Sequence, residues 1–327
     1  GWDASRLNVL IDLTTVTTSM SINQLRGRSF RLDKHWPEKV ANNWDIICLA
    51  DEFTKGFDDY LRFKRKHKQL YGVCDDGAIE KGVGHVHAAF TEARPEGVSE
   101  TMQIFNEEML MRAKNRARTR HLWGIGQPFN ATPREAIEIK GAFGEGFPIA
   151  RRLGLAEWTD ESLVQAISNV VAAALQALGH IRYDAKVGGG NRGGGWLRAY
   201  LEDATEEESE IFAEAMQEVL GPLENPRYVI PREVRVISET WLSEMLPEVI
   251  AKFFRKRRNT LVMYHAVPKI LCRNIDDAKV FEEQWNFKVS PGEVVYGHSK
   301  SGKDTVSTIK RAGLSPKTSF HRKSVFL

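Results

Sequence analysis

The stretch "LNVLIDLTTVTTSMSINQLRGRSFR", Leu7–Arg31, decides how the rest of the chain is read. Leu7–Leu13 is an apolar, β-branched run of the kind buried in a parallel sheet. A helix over Ser19–Arg31 follows, entered through Thr17, Thr18 or Ser19, all good N-caps. Further on, "WDIICLAD" (Trp44–Asp51) predicts a second strand, and Asp58–Tyr71 a second helix ending near Gly72. Strand, helix, strand and helix at this spacing suggest the α/β edge of a doubly wound sheet. Two strands cannot bury both helices, so more sheet is expected around them.

The end of the opening stretch, "QLRGRSFR" (Gln24–Arg31), crowds three arginines into eight residues. Such cations repel one another unless something negative lies nearby. Arg28 and Arg31 are three apart and would share a helical face, with Gln24 able to join it. Gly27 would let another backbone or a nucleotide approach closely. Phosphoryl-transfer motors set an arginine opposite the γ-phosphate because its planar cation stabilises charge spreading over the transferred oxygens.

On these residues the chain resembles superfamily 2 helicases and translocases. "GWDASRLNVLIDLT" followed by "TSMSINQLRGRSFRLD" looks like their motif V, G-x-D-x-P, and motif VI, Q-x-x-G-R-x-x-R. Ser5 stands where the family pattern has proline. In flavour the likeness is to bacterial helicases of restriction and phage-defence systems, and it covers about the first 70 residues. It implies the tail of a RecA-like parallel-sheet domain. Gln24, Arg28 and Arg31 would be catalytic, with the two arginines as fingers. Gly1, Asp3 and Gly27 would lie at the nucleotide, and Thr14, Thr15, Thr17 and Thr18 would line the nucleic-acid strand. ATP and Mg2+ would serve the intact parent protein, held by a phosphate loop and a D-E-x-H box in an earlier motor domain. This chain reads as a fragment of that parent, binding neither ATP nor Mg2+ alone. The plainer reading of the same residues is an arginine-rich, solvated helix end.

One other stretch resembles a phosphate loop: "GHSKSGKD", Gly297–Asp304, which fits G-x-x-x-x-G-K. Asp304, however, occupies the place of the Ser or Thr whose hydroxyl should hold magnesium. A polar turn between a strand and a helix is the reading adopted.

The remaining signals are local. Lys plus Arg 46 against Asp plus Glu 43 leaves a net charge of only +3, so no global field points to a polyanion. Arg112, Arg116 and Arg120 recur every four residues on a predicted helix and form the better nucleic-acid stripe, although Glu108 can pair Arg112. "LRFKRKHK" (Leu61–Lys68) reads equally as a phosphate contact or as cations complementing a helix dipole. His85 and His87 would face one side of a strand, and satisfied or surface histidines are favoured there over a metal site. "GGGNRGGG" is read as a mobile hairpin loop with Arg192 at its tip. Three separated cysteines exclude a disulfide framework and fit a reducing, cytoplasmic setting. No apolar run reaches the roughly 18–20 residues of a membrane span.

The expected organisation is therefore α/β: a motor tail over 1–72, an irregular connecting region over 73–158, and an α+β accessory domain over 159–327. Expected partners are nucleic acid, DNA ahead of RNA, the missing motor half, and a defence-system protein. The alternative is a non-catalytic module that binds nucleic acid or such a partner.

Overall fold

The computed structural model describes residues 5–50, 52–91, 98–115, 121–122, 132–141, 159–238 and 256–327. The fold is mixed α/β with several sheets, one of them a parallel pair. The chain divides into two compact units. Gly1–Pro133 forms the first, with Arg192–Trp196 and Val325–Leu327; Arg134–Asn191 and Leu197–Ser324 form the second. The first unit thus takes in residues 73–133 as well as the expected motor segment.

In the first unit, β1 (Val9–Asp12) pairs in parallel with β2 (Asn42–Asp45), so that Asp12 stands opposite Asp45. Helix α1 (Ser19–Gly27) lies between the two strands in sequence, and α2 (Asp58–His67) follows. Strand β2 lies earlier than the apolar run that predicted it. Ile47 and Leu49 of that run pack instead against the cluster around Tyr60 and Phe63, the buried apolar positions of α2. Helix α1 is also shorter than expected. It stops at Gly27, where the Arg28 and Ser29 amides turn back to Leu25 and Arg26, so Arg31 lies beyond the helix and shares no helical face with Arg28.

The start of the region expected to be irregular contains a small hairpin, β3 (Tyr71–Val73) and β4 (Ile79–Lys81), turning at Gly77 with φ 90°. Val325 and Phe326 pair on the free edge of β4. His85 ends a short 3₁₀ turn over Val83–His85, with His87 just beyond it, so the pair is not on a strand. Helix α3 (Val98–Lys114) adds Phe105 to the aromatic cluster.

The second unit is built from better-signalled elements. Helix α4 (Asp160–Ala177) and helix α5 (Glu206–Leu220) each begin with a capping box, Thr159 with Ser162 and Thr205 with Glu208. They pack with α6 (Ile275–Lys288) in a continuous apolar core that includes Ile167, Phe212, Phe281 and Trp285. Beneath lie β5 (Arg134–Gly141), β6 (Lys186–Gly193), β7 (Trp196–Glu202) and β11 (Thr318–Phe326), in the order β11-β5-β7-β6. A second sheet runs β10-β8-β9, from β8 (Tyr228–Ser238), β9 (Lys256–Ala266) and β10 (Val295–Tyr296). Helix α7 (Lys300–Arg311) follows β10.

Strand β5 is missing from the sequence reading because "EAIEIK" interrupts its apolar residues with charge. Its Glu138 is fully buried against Arg198 at 2.7 Å. The glycine run is likewise not a mobile loop: β6 continues through it, and only Gly194 and Gly195, at φ 59° and 77°, make the turn. Among the described residues no helix is long and apolar enough to cross a membrane.

Candidate functional site

The three arginines of Gln24–Arg31 have different fates. Arg26 turns inward and donates to Asp45 Oδ2 at 2.7 Å, with its Nη2 also 3.0 Å from His67 Nε2. His67 Nδ1 lies 3.1 Å from the Phe63 carbonyl, so that nitrogen carries the proton and Nε2 accepts from Arg26. Burial, together with the Arg26 charge, lowers the His67 pKa to about 4. Lys66 completes the network, bridging Asp12 and Asp45, the latter at 2.6 Å. Burial acts to raise the Asp12 carboxyl. Lys66 and the Thr14 amide and hydroxyl outweigh it and hold the pKa below the ordinary value. Two cations and two carboxylates thus neutralise one another where the parallel strands end.

Arg28 and Arg31, in contrast, are exposed, as is Gln24. The Gln24 and Arg28 side chains bond no described residue. Their backbone is nevertheless held on both flanks. Ser29 is fully buried, its hydroxyl 2.8 Å from the Arg26 carbonyl and 2.7 Å from the Asn43 side-chain amide. Lys39, also buried, donates to the carbonyls of Arg31 at 2.7 Å and Ser5 at 2.6 Å. Ile22 anchors α1 beneath them. A Cβ built on Gly27 would meet nothing within 4 Å, so the space before it is open. Rigid backbone with exposed guanidinium groups suits recognition of a phosphate that another body brings.

The hydroxyl series splits in the same way. Thr14 is turned onto Asp12, its amide at 2.8 Å and hydroxyl at 2.7 Å from Oδ1, and the Thr18 hydroxyl bonds Ser21 at 2.9 Å. Thr15 and Thr17 are exposed and bond no described residue. Gly1, Asp3, Arg116 and Arg120 lie outside the described residues.

Several other basic candidates are occupied within the protein, while Arg65 and Lys68 are exposed. Arg112 donates to Asp75 at 2.5 Å and to the Val86 carbonyl at 2.8 Å. Glu108 pairs with His87 at 2.7 Å rather than with Arg112. Within Leu61–Lys68, Arg62 pairs with Asp59 at 2.6 Å, Lys64 donates to the Thr91 carbonyl at 3.1 Å, and Lys66 is buried in the network already described. Arg192, expected at a loop tip, is fully buried and reaches Glu80 at 3.2 Å and the Gly84 carbonyl at 2.8 Å. Its hairpin keeps no mobile loop that could expose it.

His87 stacks on Phe105 with ring centroids 4.3 Å apart, and its Nδ1 accepts from the Ala89 amide. The His85 Nδ1 lies 2.5 Å from the Gly82 carbonyl. Burial lowers the pKa of both rings. Among the described residues no cluster of His, Cys, Asp or Glu could hold a metal ion.

Gly297–Asp304 does not form an anion cradle. Its strand, β10, is two residues long and antiparallel to β8, and Ser299 caps α7 by accepting from the Gly302 amide at 2.9 Å. A Cβ on Gly302 would lie 2.0 Å from the Tyr296 carbonyl oxygen, and one on Gly297 2.4 Å from that of Pro226. Both glycines therefore serve close backbone packing, and the residues do not fit a triphosphate.

The sequence reading missed Asp12, Asp45, His67, Ser29 and Lys39, and took Lys66 only as one cation of the run Leu61–Lys68. A usable signal was present for the first two, since each acid ends a strand of the parallel pair. Comparison with protein-family models, curated proteins and solved structures gave no match.

Proposed function

We propose that this chain supplies the C-terminal part of a superfamily 2, ATP-dependent nucleic-acid helicase or translocase, including the end of its second RecA-like domain. In this reading Arg28 and Arg31 reach the γ-phosphate of an ATP–Mg2+ bound by another motor domain. Gln24 hydrogen-bonds beside them, and Gly27 leaves room for the nucleotide. Thr15 and Thr17 contact the nucleic-acid backbone, with DNA as the first candidate. The chemistry supplied by these residues is electrostatic: fixed cations stabilise charge on the transferred phosphoryl oxygens.

The observation that carries this reading is the pairing of clamped backbone with exposed side chains over Gln24–Arg31. A plain solvated helix end has no need for a buried Ser29, a buried Lys39 and an inward Arg26 holding it in place. The parallel pair adds support, because Ile11 and Leu13 are 60% and 73% exposed and leave apolar surface for further motor structure to cover. The binding-module alternative draws less support, since Arg112 and Arg192 are engaged with Asp75 and Glu80.

Nucleic-acid-stimulated ATP hydrolysis tests the proposal. The chain alone is expected to be inactive, because this reading assigns the phosphate loop to another motor domain, and turnover by this chain alone would overturn the assignment.

A further inference from the structure

A cavity of about 630 Å³ lies within the first unit, lined by β2, α2 and α3. Small-molecule sites span roughly 300–1,000 Å³. Its walls offer three kinds of surface. Trp44, Phe63 and Phe90 supply aromatic faces, and Phe63 meets Phe90 edge to face at 5.5 Å, which fixes both rings. Met102 and Met109 lie beside them, unbranched side chains that adapt to a ligand's outline.

The charges in the wall are already neutralised. Arg26 is paired with Asp45 at 2.7 Å and Arg112 with Asp75 at 2.5 Å. His67, with its low pKa, is neutral at pH 7. An anion entering here would have to draw Arg26 away from Asp45, leaving that buried carboxylate one cation short, or draw Arg112 away from Asp75, and either exchange costs affinity.

The third surface is polar and uncharged. The side chains of Asn42, Trp44 and Asn106 hydrogen-bond no described residue, and all three line the cavity. A primary amide presents a donor and an acceptor side by side, the pattern that complements the edge of a nitrogen heterocycle.

We propose that this cavity binds a small, uncharged, planar nitrogen heteroaromatic of nucleobase or nucleoside size, held against Trp44 and hydrogen-bonded at its edge by Asn42 and Asn106. The proposal is independent of the motor assignment, because it uses none of Gln24, Arg28 or Arg31.

Isothermal titration calorimetry of the full chain with adenosine and with AMP tests it. AMP differs from adenosine by an anionic phosphate. The expected result is saturable binding of adenosine, at least tenfold weaker binding of AMP, and at least a fivefold loss of adenosine affinity in Asn106→Leu. Ala113→Phe, which narrows the cavity from α3, should weaken adenosine by a similar factor, and circular dichroism identifies the variant that keeps its fold. No adenosine binding at millimolar concentration would overturn the proposal. AMP binding as tight as adenosine would do the same, as would full affinity in a folded variant.

Discussion

The two units solve the problem of burial differently. In the second, α4, α5 and α6 share one continuous core with the sheet beneath them, and both α4 and α5 open on capping boxes. In the first, the aromatic cluster around Tyr60, Phe63, Phe90 and Phe105 is small, and a buried four-charge network sits where the parallel strands end. Ile11, Leu13, Met20, Phe30 and Leu32 are left exposed there. The second unit exposes Tyr183 and Phe287 but gathers most of its apolar residues into one core, whereas the first directs a larger part of its side-chain chemistry outward. Outward apolar and cationic side chains on a fixed backbone are what a surface that meets another body requires.

The largest expected effect lies in the second core. Trp285 is fully buried, in tilted ring contact with Phe281 and His265, and its indole N–H donates to the Pro231 carbonyl at 3.1 Å. Trp285→Ala should cost about 3–5 kcal/mol in denaturant unfolding, through cavity and lost contacts. A cost below about 1 kcal/mol would erase the contrast between the two cores.

In the first unit the network takes the place of apolar mass. Lys66→Met leaves Asp12 and Asp45 facing each other across the parallel pair, with Arg26 as the remaining cation. A loss of about 3 kcal/mol is expected, because removing one partner strands buried charge. The double variant Lys66→Met/Asp12→Leu should recover part of that loss. If it proves no better than the single variant, the network is not what holds the strand ends together.

Acid should act on both units in a defined order. The folded pKa of His67, about 4, and that of His265, about 3, lie below the ordinary 6.5. Burial is the first cause in each case. The unfolded chain therefore binds more protons in that interval, so stability is full above pH 6.5 and declines as pH falls, by about 1.4 kcal/mol per unit and per fully shifted histidine. The His67 contribution is exhausted near pH 4, while that of His265 continues toward pH 3. Asp12, held below its ordinary 3.8, adds a further loss only below that value. His265→Phe should flatten the second unit's decline between pH 6 and about 4, read from urea midpoints. An unchanged slope would contradict the burial of a neutral ring there.

How much of this was legible in the sequence follows the same division. Helices α4 and α5 could be read because Thr159 and Thr205 announce them and Gly179 ends the first. Strands β5 and β11 could not, because Glu138, Arg322 and their neighbours break the apolar alternation. The partner that makes Glu138 acceptable in the interior, Arg198, is 60 residues away. "QLRGRSFR" announced a crowd of charge but not its resolution. Nothing local shows that Arg26 meets Asp45, or that Arg192 is buried against Glu80, 112 residues distant. Spacing suggested Glu108 for Arg112, and the fold chose Asp75.

The smallest expected effect on stability comes from the residues with the largest proposed role. Arg28→Ala and Arg31→Ala remove exposed side chains and should change unfolding by less than about 0.5 kcal/mol. Arg26→Ala, two residues before Arg28, should destabilise the first unit by about 3 kcal/mol, since it leaves Asp45 short of one cation in a buried site. This separation of Arg28 from Arg26 sharpens the contrast between outward and inward chemistry within a single octapeptide.

The most direct measurement is nucleic-acid-stimulated ATP turnover, on this chain alone and on the complete product of the reading frame that encodes it, with and without Arg28→Ala. No turnover is expected from the chain alone. Turnover is expected from the complete product, reduced about 10³-fold or more by the substitution without a change in melting. Hydrolysis by the chain alone, or full activity in Arg28→Ala, would contradict the motor assignment.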